Sequence, residues 1–307
     1  MIGLNLLNRP AALSSGFKLV RLAFAVLLLA ALLPGLFGPT GGTQTAWAQT
    51  AHAQTLQPAT VHMVQTAQSQ PVQRPIPTLQ PPVAGYAFPE RQTLTFTVDW
   101  RVFTGGRAVF HLEQQGGQLK VTATADTVGA VNLLFPVVDR FQSAMDTRTG
   151  CSEGFWKQVQ EGRRKVSSDL TFDPSAGKQT QVERNLVKGT QKQQTTSIPA
   201  CVTDSLSGIF YAASQRLTVG QDFGFPLADA MRTVTVTMKV EAREEIKTPA
   251  GTFQTIRVQP TAEEGVVKNR GNIWIWYTDD ARHIPVQIRA RLFWGTITFH
   301  LQSVEAK

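Results

Sequence analysis

Cysteine is nearly absent: the 307 residues contain two, Cys151 and Cys201. That excludes a thiolate zinc knuckle and a C-x-x-C redox pair, which need more ligands or closer spacing. Histidine is scarce, with five in all, and neither a His-Glu-x-x-His helix nor a glycine-rich phosphate loop occurs. Asp204-Ser205-Leu206-Ser207-Gly208 does not fit the Gly-x-Ser-x-Gly elbow that presents a hydrolase nucleophile. Glu244-Glu245 and Glu263-Glu264 are adjacent pairs. On a strand such neighbours face opposite ways, which suits them poorly to paired acid/base work. Charged residues are 17% of the chain and the formal net charge is +8. The basic residues are scattered except for Arg163-Arg164-Lys165. This trio reads first as a solvated turn and second as a contact for anionic lipid or polysaccharide. No nucleic-acid module accompanies it. No cofactor, metal or nucleic-acid partner is expected, and the balance leans away from an enzyme.

What is present begins with a leader. Arg9, Lys18 and Arg21 precede an unbroken apolar run from Leu22 to Leu33. Ala46-Trp47-Ala48 and Ala51-His52-Ala53 are small-x-small cleavage sites. Residues 1–48 have the layout of a secretory signal peptide. An uncleaved anchor is the alternative, although Arg21 and Pro34 interrupt the span that would cross the bilayer. A lipid-anchored precursor needs a cysteine just after the apolar run, and none is there. Residues 49–90 are rich in Gln, Pro, Thr and Ala. Such a composition buries too little apolar surface to order itself, so a linker is expected. The folded domain is assigned to residues 91–307, outside the cytoplasm, in the periplasm or cell envelope. Membrane contact is expected only through an uncleaved leader.

The domain reads as strands. Leu94, Phe96, Val98, Trp100 and Val102 alternate with polar residues, and Gly105-Gly106 and Gly116-Gly117 mark turns. Val131–Phe135 is a short apolar bridge stopped by Pro136. Gln179–Val187 and Gln191–Ser197 are polar and suit outer or edge strands. From Thr233 to Val304 the alternation continues as one long meander with turns at Pro249-Ala250-Gly251, Asp279-Asp280 and Trp294-Gly295. One helix is expected at about 204–217, because Leu206, Ile209, Phe210, Ala213 and Leu217 recur at helical spacing after Thr203 and Asp204. About a dozen strands around one short helix suit a mainly β fold, an antiparallel meander rolled into a barrel or strongly curved sheet. In an exported chain the isolated pair Cys151 and Cys201 points to a disulfide.

Two groups of site candidates follow. Ile273-Trp274-Ile275-Trp276-Tyr277 is bulky on both faces, and a strand apolar on both sides is covered twice or lines a cavity. Trp274, Trp276, Tyr277, Trp294 and Phe299 are therefore candidates for an apolar ligand cavity, or simply fill the core. Asp279, Asp280, His283 and Arg289 form the one polar cluster that a hydrolase reading would try first. His283 and His300 fall on polar faces of nearby strands; they read first as separate polar-face residues beside a turn capped by its aspartates, and second as a pair that approach each other.

The run Ile198-Pro199-Ala200-Cys201-Val202-Thr203-Asp204-Ser205-Leu206-Ser207, with Tyr211, Gly220 and Phe225-Pro226-Leu227, resembles the middle of the domain-of-unknown-function family DUF3108. Thr248–Phe253, Ile275–Asp280 and Ile284-Pro285-Val286 carry the same resemblance, which spans roughly residues 91–304. It implies an exported or envelope-associated bacterial protein with a mainly β fold and no established activity. It transfers no catalytic residues. The functional expectation is a non-catalytic binding module for an apolar or amphipathic envelope ligand, such as a lipid. A structural or assembly partner, or a hydrolase of envelope polymers, are the alternatives.

Overall fold

The computed structural model describes residues 76–100, 103–263, 271–292 and 295–306. The leader, the linker up to residue 75 and Trp294 lie outside the described residues. One arm of the fold is β1 (Arg91–Trp100), β2 (Phe103–Gln115), β3 (Gln118–Thr127), β4 (Val138–Asp146), β5 (Ser152–Glu161), β6 (Arg164–Asp173), β7 (Lys178–Asn185) and β8 (Thr190–Ser197). The other is β9 (Asp222–Asp229), β10 (Arg232–Thr248), β11 (Gly251–Thr261), β12 (Asn272–Thr278), β13 (Pro285–Leu292) and β14 (Gly295–Ala306). Helix α1 (Gly129–Leu134) joins β3 to β4, and α2 (Ser207–Ala213) lies between β8 and β9.

Every pairing is antiparallel between sequence neighbours except one: β1 pairs with β14. The sheet order is therefore β8 through β1, then β14 down to β9. Alternation sets which face turns inward. Phe96 and Val98 of β1 lie in register with Leu301 and Phe299 of β14, and all four are buried in the core.

The sheet curls because both arms bury their inner faces on the same short helix. Every residue of α2 is buried. Phe210 meets Phe110 of β2 edge-on at 6.2 Å, and Tyr211 meets Phe225 of β9 at 5.0 Å. The Tyr277 hydroxyl of β12 donates to the Ile209 carbonyl at 2.8 Å. The roll does not close strand to strand, since its edges are β8 and β9. The segment before α2 bridges the two arms instead. Ser152 N of β5 donates to Val202 O at 2.8 Å, Thr203 N donates to Pro226 O of β9, and Ala228 N donates back to Thr203 O. Thr203 thereby forms a parallel bridge to Leu227.

Three boundaries differ from the sequence expectation. Val131–Phe135 was read only as a short apolar bridge, and residues 129–134 make a short helix, with Phe135 N donating to Val131 O at 2.8 Å. The second helix is shorter than 204–217. Asp204 stands before it, its Oδ1 accepting from Leu206 N and Ser207 N, and Leu217 is buried beyond its end. Residues 76–90 are not loose linker: Phe88 joins the core, Val83 N donates to Ser214 O, and Gln80 exchanges two 3.0 Å bonds with the Tyr211 hydroxyl. Tyr211 is thus held from both sides, and burial pushes its phenol up to about 12.

Candidate functional site

The five cavity candidates do not line one space. Tyr277 and Phe299 point inward and are buried in the filled core around α2. Trp276 projects to the opposite face, where its Nε1 donates to Glu244 Oε1 at 2.8 Å and the Arg289 guanidinium lies 5.2 Å from its ring centre. Trp274, two residues earlier, shares that outer face and pairs with Arg289 across the ladder. The strand is bulky on both sides because its outer face is covered by ion-paired side chains. Arg257 bridges Glu241 and Glu244 there at 2.7 and 2.9 Å. Trp294 lies outside the described residues.

The polar candidates are also dispersed. Asp279 holds Arg243 at 2.6 Å. Asp280 accepts from Thr278 Oγ1, Arg282 N and the Arg282 guanidinium; against the opposing cost of burial, these bonds hold its carboxyl below the usual range. The His283 ring bonds through Nδ1 to the Ala213 carbonyl at 2.7 Å, which fixes the proton on that nitrogen. Arg289 is committed to Trp276. Each residue has its own structural partner, so the four do not converge on a substrate. The two histidines do not meet either. His283 closes on α2, whereas His300 lies on β14 with its Nε2 3.6 Å from Asp99 Oδ2. Burial, opposed by Asp99, lowers the His300 pKa. Among the described residues no group of three His, Cys, Asp or Glu side chains is placed to hold a metal ion.

The structure assembles two features that the sequence did not reveal. The first is a buried polar knot at the entry to α2. Asp204 is fully buried, and its Oδ2 accepts from Ser143 Oγ of β4 at 2.5 Å and from Ser152 Oγ of β5 at 2.6 Å. With the two helix-entry amides it takes four hydrogen bonds, as a buried carboxylate requires. Cys151 and Cys201 sit beside this knot with their sulfurs at bonding distance and Cα atoms 5.2 Å apart. They tie the end of the β4–β5 turn to the bridging segment. Gly150, at φ +78, makes room: a Cβ there would come within 2.6 Å of the Tyr211 ring.

The second feature is a groove of about 420 Å³ crossing β4, β5 and β6. Its origin is a row of small side chains beside a row of large ones. Ala144, Gly154 and Thr171 lie in cross-strand register, and the next row on that face is Gln142, Trp156 and Asp169. Gly154 carries no side chain, so the Trp156 ring stands over a depression with Gln142 and Asp169 on either side. Ser143, Phe155 and Leu170 alternate with these residues and form the floor, their side chains buried on the inner face. The groove therefore offers an aromatic wall and polar groups at its margins.

The inner face behind this groove is unusually polar. Lys157, Ser168, Gln179 and Gln181 are all buried on β5, β6 and β7. Gln179 bonds the Ala230 carbonyl and Gln181 bonds Ser168 Oγ. Asp139, fully buried on β4, accepts from Gln160 N at 2.9 Å. Burial first, and the Glu161 carboxylate second, push its pKa up to about 8. Gln179–Val187 was expected as an outer or edge strand because it is polar; β8 is the edge, and β7 lies one strand in and faces the interior with two of those glutamines.

Comparison with known proteins returns the fold and no activity. No curated protein matches. A β-barrel-like protein of the unknown-function family DUF1849 from Brucella abortus superposes with a TM-score of 0.52 at 9% identity, over 73% of this chain and 100% of that one. A Bacteroides fragilis protein provisionally described as exported, with a YmcC-like fold, gives 0.33 at 9% identity over 72% and 99% of the two chains. A Parabacteroides distasonis protein provisionally described as a lipoprotein gives 0.31 at 9% identity over 72% and 98%. The curled β roll is thus shared with the Brucella abortus protein despite its very different sequence. The profile of the family described as Protein of unknown function (DUF3108) matches residues 95–302, and the chain belongs to that family.

Proposed function

We propose that this is an exported envelope protein that binds without catalysing, and that it holds an amphipathic envelope molecule in the groove over Gly154. The leader and the cysteine pair support a compartment outside the cytoplasm. The observation that carries the reading is the groove itself. Its aromatic wall suits an acyl or ring moiety, and Gln142 and Asp169 at its margins suit a hydroxyl or amine head. A hydrolase reading draws little support from Asp279, Asp280, His283 and Arg289, because each is already engaged elsewhere.

The test fills the groove. The nearest atom to a Cβ at Gly154 is Leu170 O at 3.6 Å, an ordinary contact, so Gly154→Leu folds and occupies the depression. Native mass spectrometry of the full chain purified from its host should show a bound small molecule that Gly154→Leu lacks. Binding of a fluorescent fatty acid should weaken about tenfold in Gly154→Leu and in Trp156→Ala, the loss expected when a main apolar contact goes. No co-purifying molecule, together with no fatty-acid binding, would exclude the groove as a site.

A further inference from the structure

The two ends of the roll differ in what they show to solvent. At one end lie α2, the β4–β5, β6–β7 and β12–β13 turns and the cysteine pair. At the other lie α1, the β5–β6 turn and the β7–β8 turn, because successive strands alternate in direction. Ten large hydrophobic side chains are exposed among the described residues, and seven of them sit in or beside the connections at the α1 end: Phe103, Val128, Leu133, Leu134, Val138, Leu186 and Val187. Helix α1 reads Gly-Ala-Val-Asn-Leu-Leu and has no buried residue. Leu133 is 87% exposed, Leu134 65%, Phe103 68% and Val187 63%. A short apolar helix that buries none of its residues gains little from folding in water. Soluble domains rarely gather exposed apolar groups on one edge unless something receives them.

The charge on the same edge identifies the receiver. Arg163, Lys165 and Lys188 are exposed there, and on this arm the connections 128–137, 162–163 and 186–189 contain no Asp or Glu, while the acidic Glu263 lies in the β11–β12 connection of the other arm. Leu186 N donates to Lys165 O, which keeps the basic β5–β6 turn beside the apolar β7–β8 turn. Apolar tips interleaved with cations match an anionic bilayer, whose headgroups attract the cations while the tips enter the acyl boundary. The opposite end lacks the pattern. Its turns carry Asp146 paired with Arg148, Asp173 bonded to its own turn, and Asp280 paired with Arg282.

We infer that the α1 end docks on the surface of an anionic membrane, with Leu133 and Leu134 inserted and Arg163, Lys165 and Lys188 on the lipid phosphates. This holds independently of any ligand in the groove over Gly154. It also gives the domain a membrane contact of its own, separate from the leader.

The experiment uses the full chain with one added thiol, since both native cysteines are paired and no other thiol is present. An environment-sensitive dye is attached at Leu133→Cys on α1 or, as the control, at Ala176→Cys in the β6–β7 turn. A dye reports its own surroundings, so insertion of the leader elsewhere does not mimic the signal. On vesicles of phosphatidylethanolamine and phosphatidylglycerol, the Leu133 dye should shift to the blue and be quenched by lipid-borne quenchers, while the Ala176 dye stays in water. Combining Arg163→Glu, Lys165→Glu and Lys188→Glu should lower the lipid dependence of that shift roughly a hundredfold at low salt. Equal insertion into phosphatidylcholine alone overturns the anionic assignment. Two dyes that both remain in water overturn the docking. A Leu133 dye already shielded without lipid, in a chain that sediments as a dimer, also overturns it and makes this edge a contact between copies.

Discussion

The plugged end of the roll and the α1 end are built from the same kinds of hairpin, yet they spend their polar and apolar groups in opposite ways. At the plugged end a carboxylate, two serines and a helix entry are buried together, and each polar atom of Asp204 has partners. At the α1 end, leucines stand in solvent and a carboxyl, Asp139, is buried with its pKa raised. Stability is concentrated where the roll must be bridged, because β8 and β9 do not pair. The α1 end is left with features that cost stability, which is the usual mark of a surface kept for contact.

Removing the Asp204 carboxylate should give the largest difference between the ends. Asp204→Ala leaves Ser143 Oγ, Ser152 Oγ and the amides of Leu206 and Ser207 without their acceptor in a buried place. Each buried orphan costs about 1–3 kcal/mol, so a loss of roughly 4–5 kcal/mol is expected, or failure to fold. Denaturant unfolding measures it, and a loss below about 1 kcal/mol would mean that the knot does not hold the two arms together.

Next comes the cysteine pair. Cys151 and Cys201 close a loop with a sequence separation of 50, worth about 4 kcal/mol on the chain-entropy account and often less in practice. The double variant Cys151→Ser and Cys201→Ser should unfold at lower denaturant while keeping its β-sheet spectrum. An unchanged midpoint would show that the bridging segment is held by the Asp204 knot alone.

How much of this could be read from residues alone follows from what alternation can and cannot say. The meander from Thr233 onward, the cysteine pairing and the existence of the second helix follow local periodicity or compartment, and the structure agrees with them, although the helix is shorter than expected. Alternation assigns a residue to a face but does not say which strand lies opposite. Trp276 and Tyr277 were therefore grouped as one lining although they face away from each other, Tyr277 onto α2 and Trp276 onto Glu244. The groove was hidden for the same reason: Gly154 and Trp156 share a face in any strand, but Ala144 and Thr171 join them only through register. Polar sequence misled at Gln179 and Gln181, because their burial depends on the curl that brings Gln179 to the Ala230 carbonyl.

The buried carboxyl at the α1 end predicts a pH dependence with a definite sign. Asp139 has a folded pKa raised from 3.8 to about 8, so between those values the folded state holds a proton that the unfolded state has released. Stability from this group is therefore fully present below 3.8 and is lost as pH rises towards about 8. The slope cannot exceed about 1.4 kcal/mol per pH unit. Asp139→Asn, which keeps the shape and removes the ionisation, should flatten the fall in melting temperature across that window. An identical slope in wild type and variant would assign the pH dependence to other groups.

The smallest expected effect is the sharpest test of the contrast. Leu133→Asp on α1 removes an exposed side chain from a helix with no buried residue, so it should change folding stability by no more than about 0.5 kcal/mol. The same substitution should abolish insertion into anionic vesicles, since a charge replaces the apolar tip. Stability and membrane binding are thereby separated within one residue, which no substitution in the Asp204 knot can do. A large loss of stability in Leu133→Asp would mean that α1 is packed in solution, and the two ends would then differ in degree only.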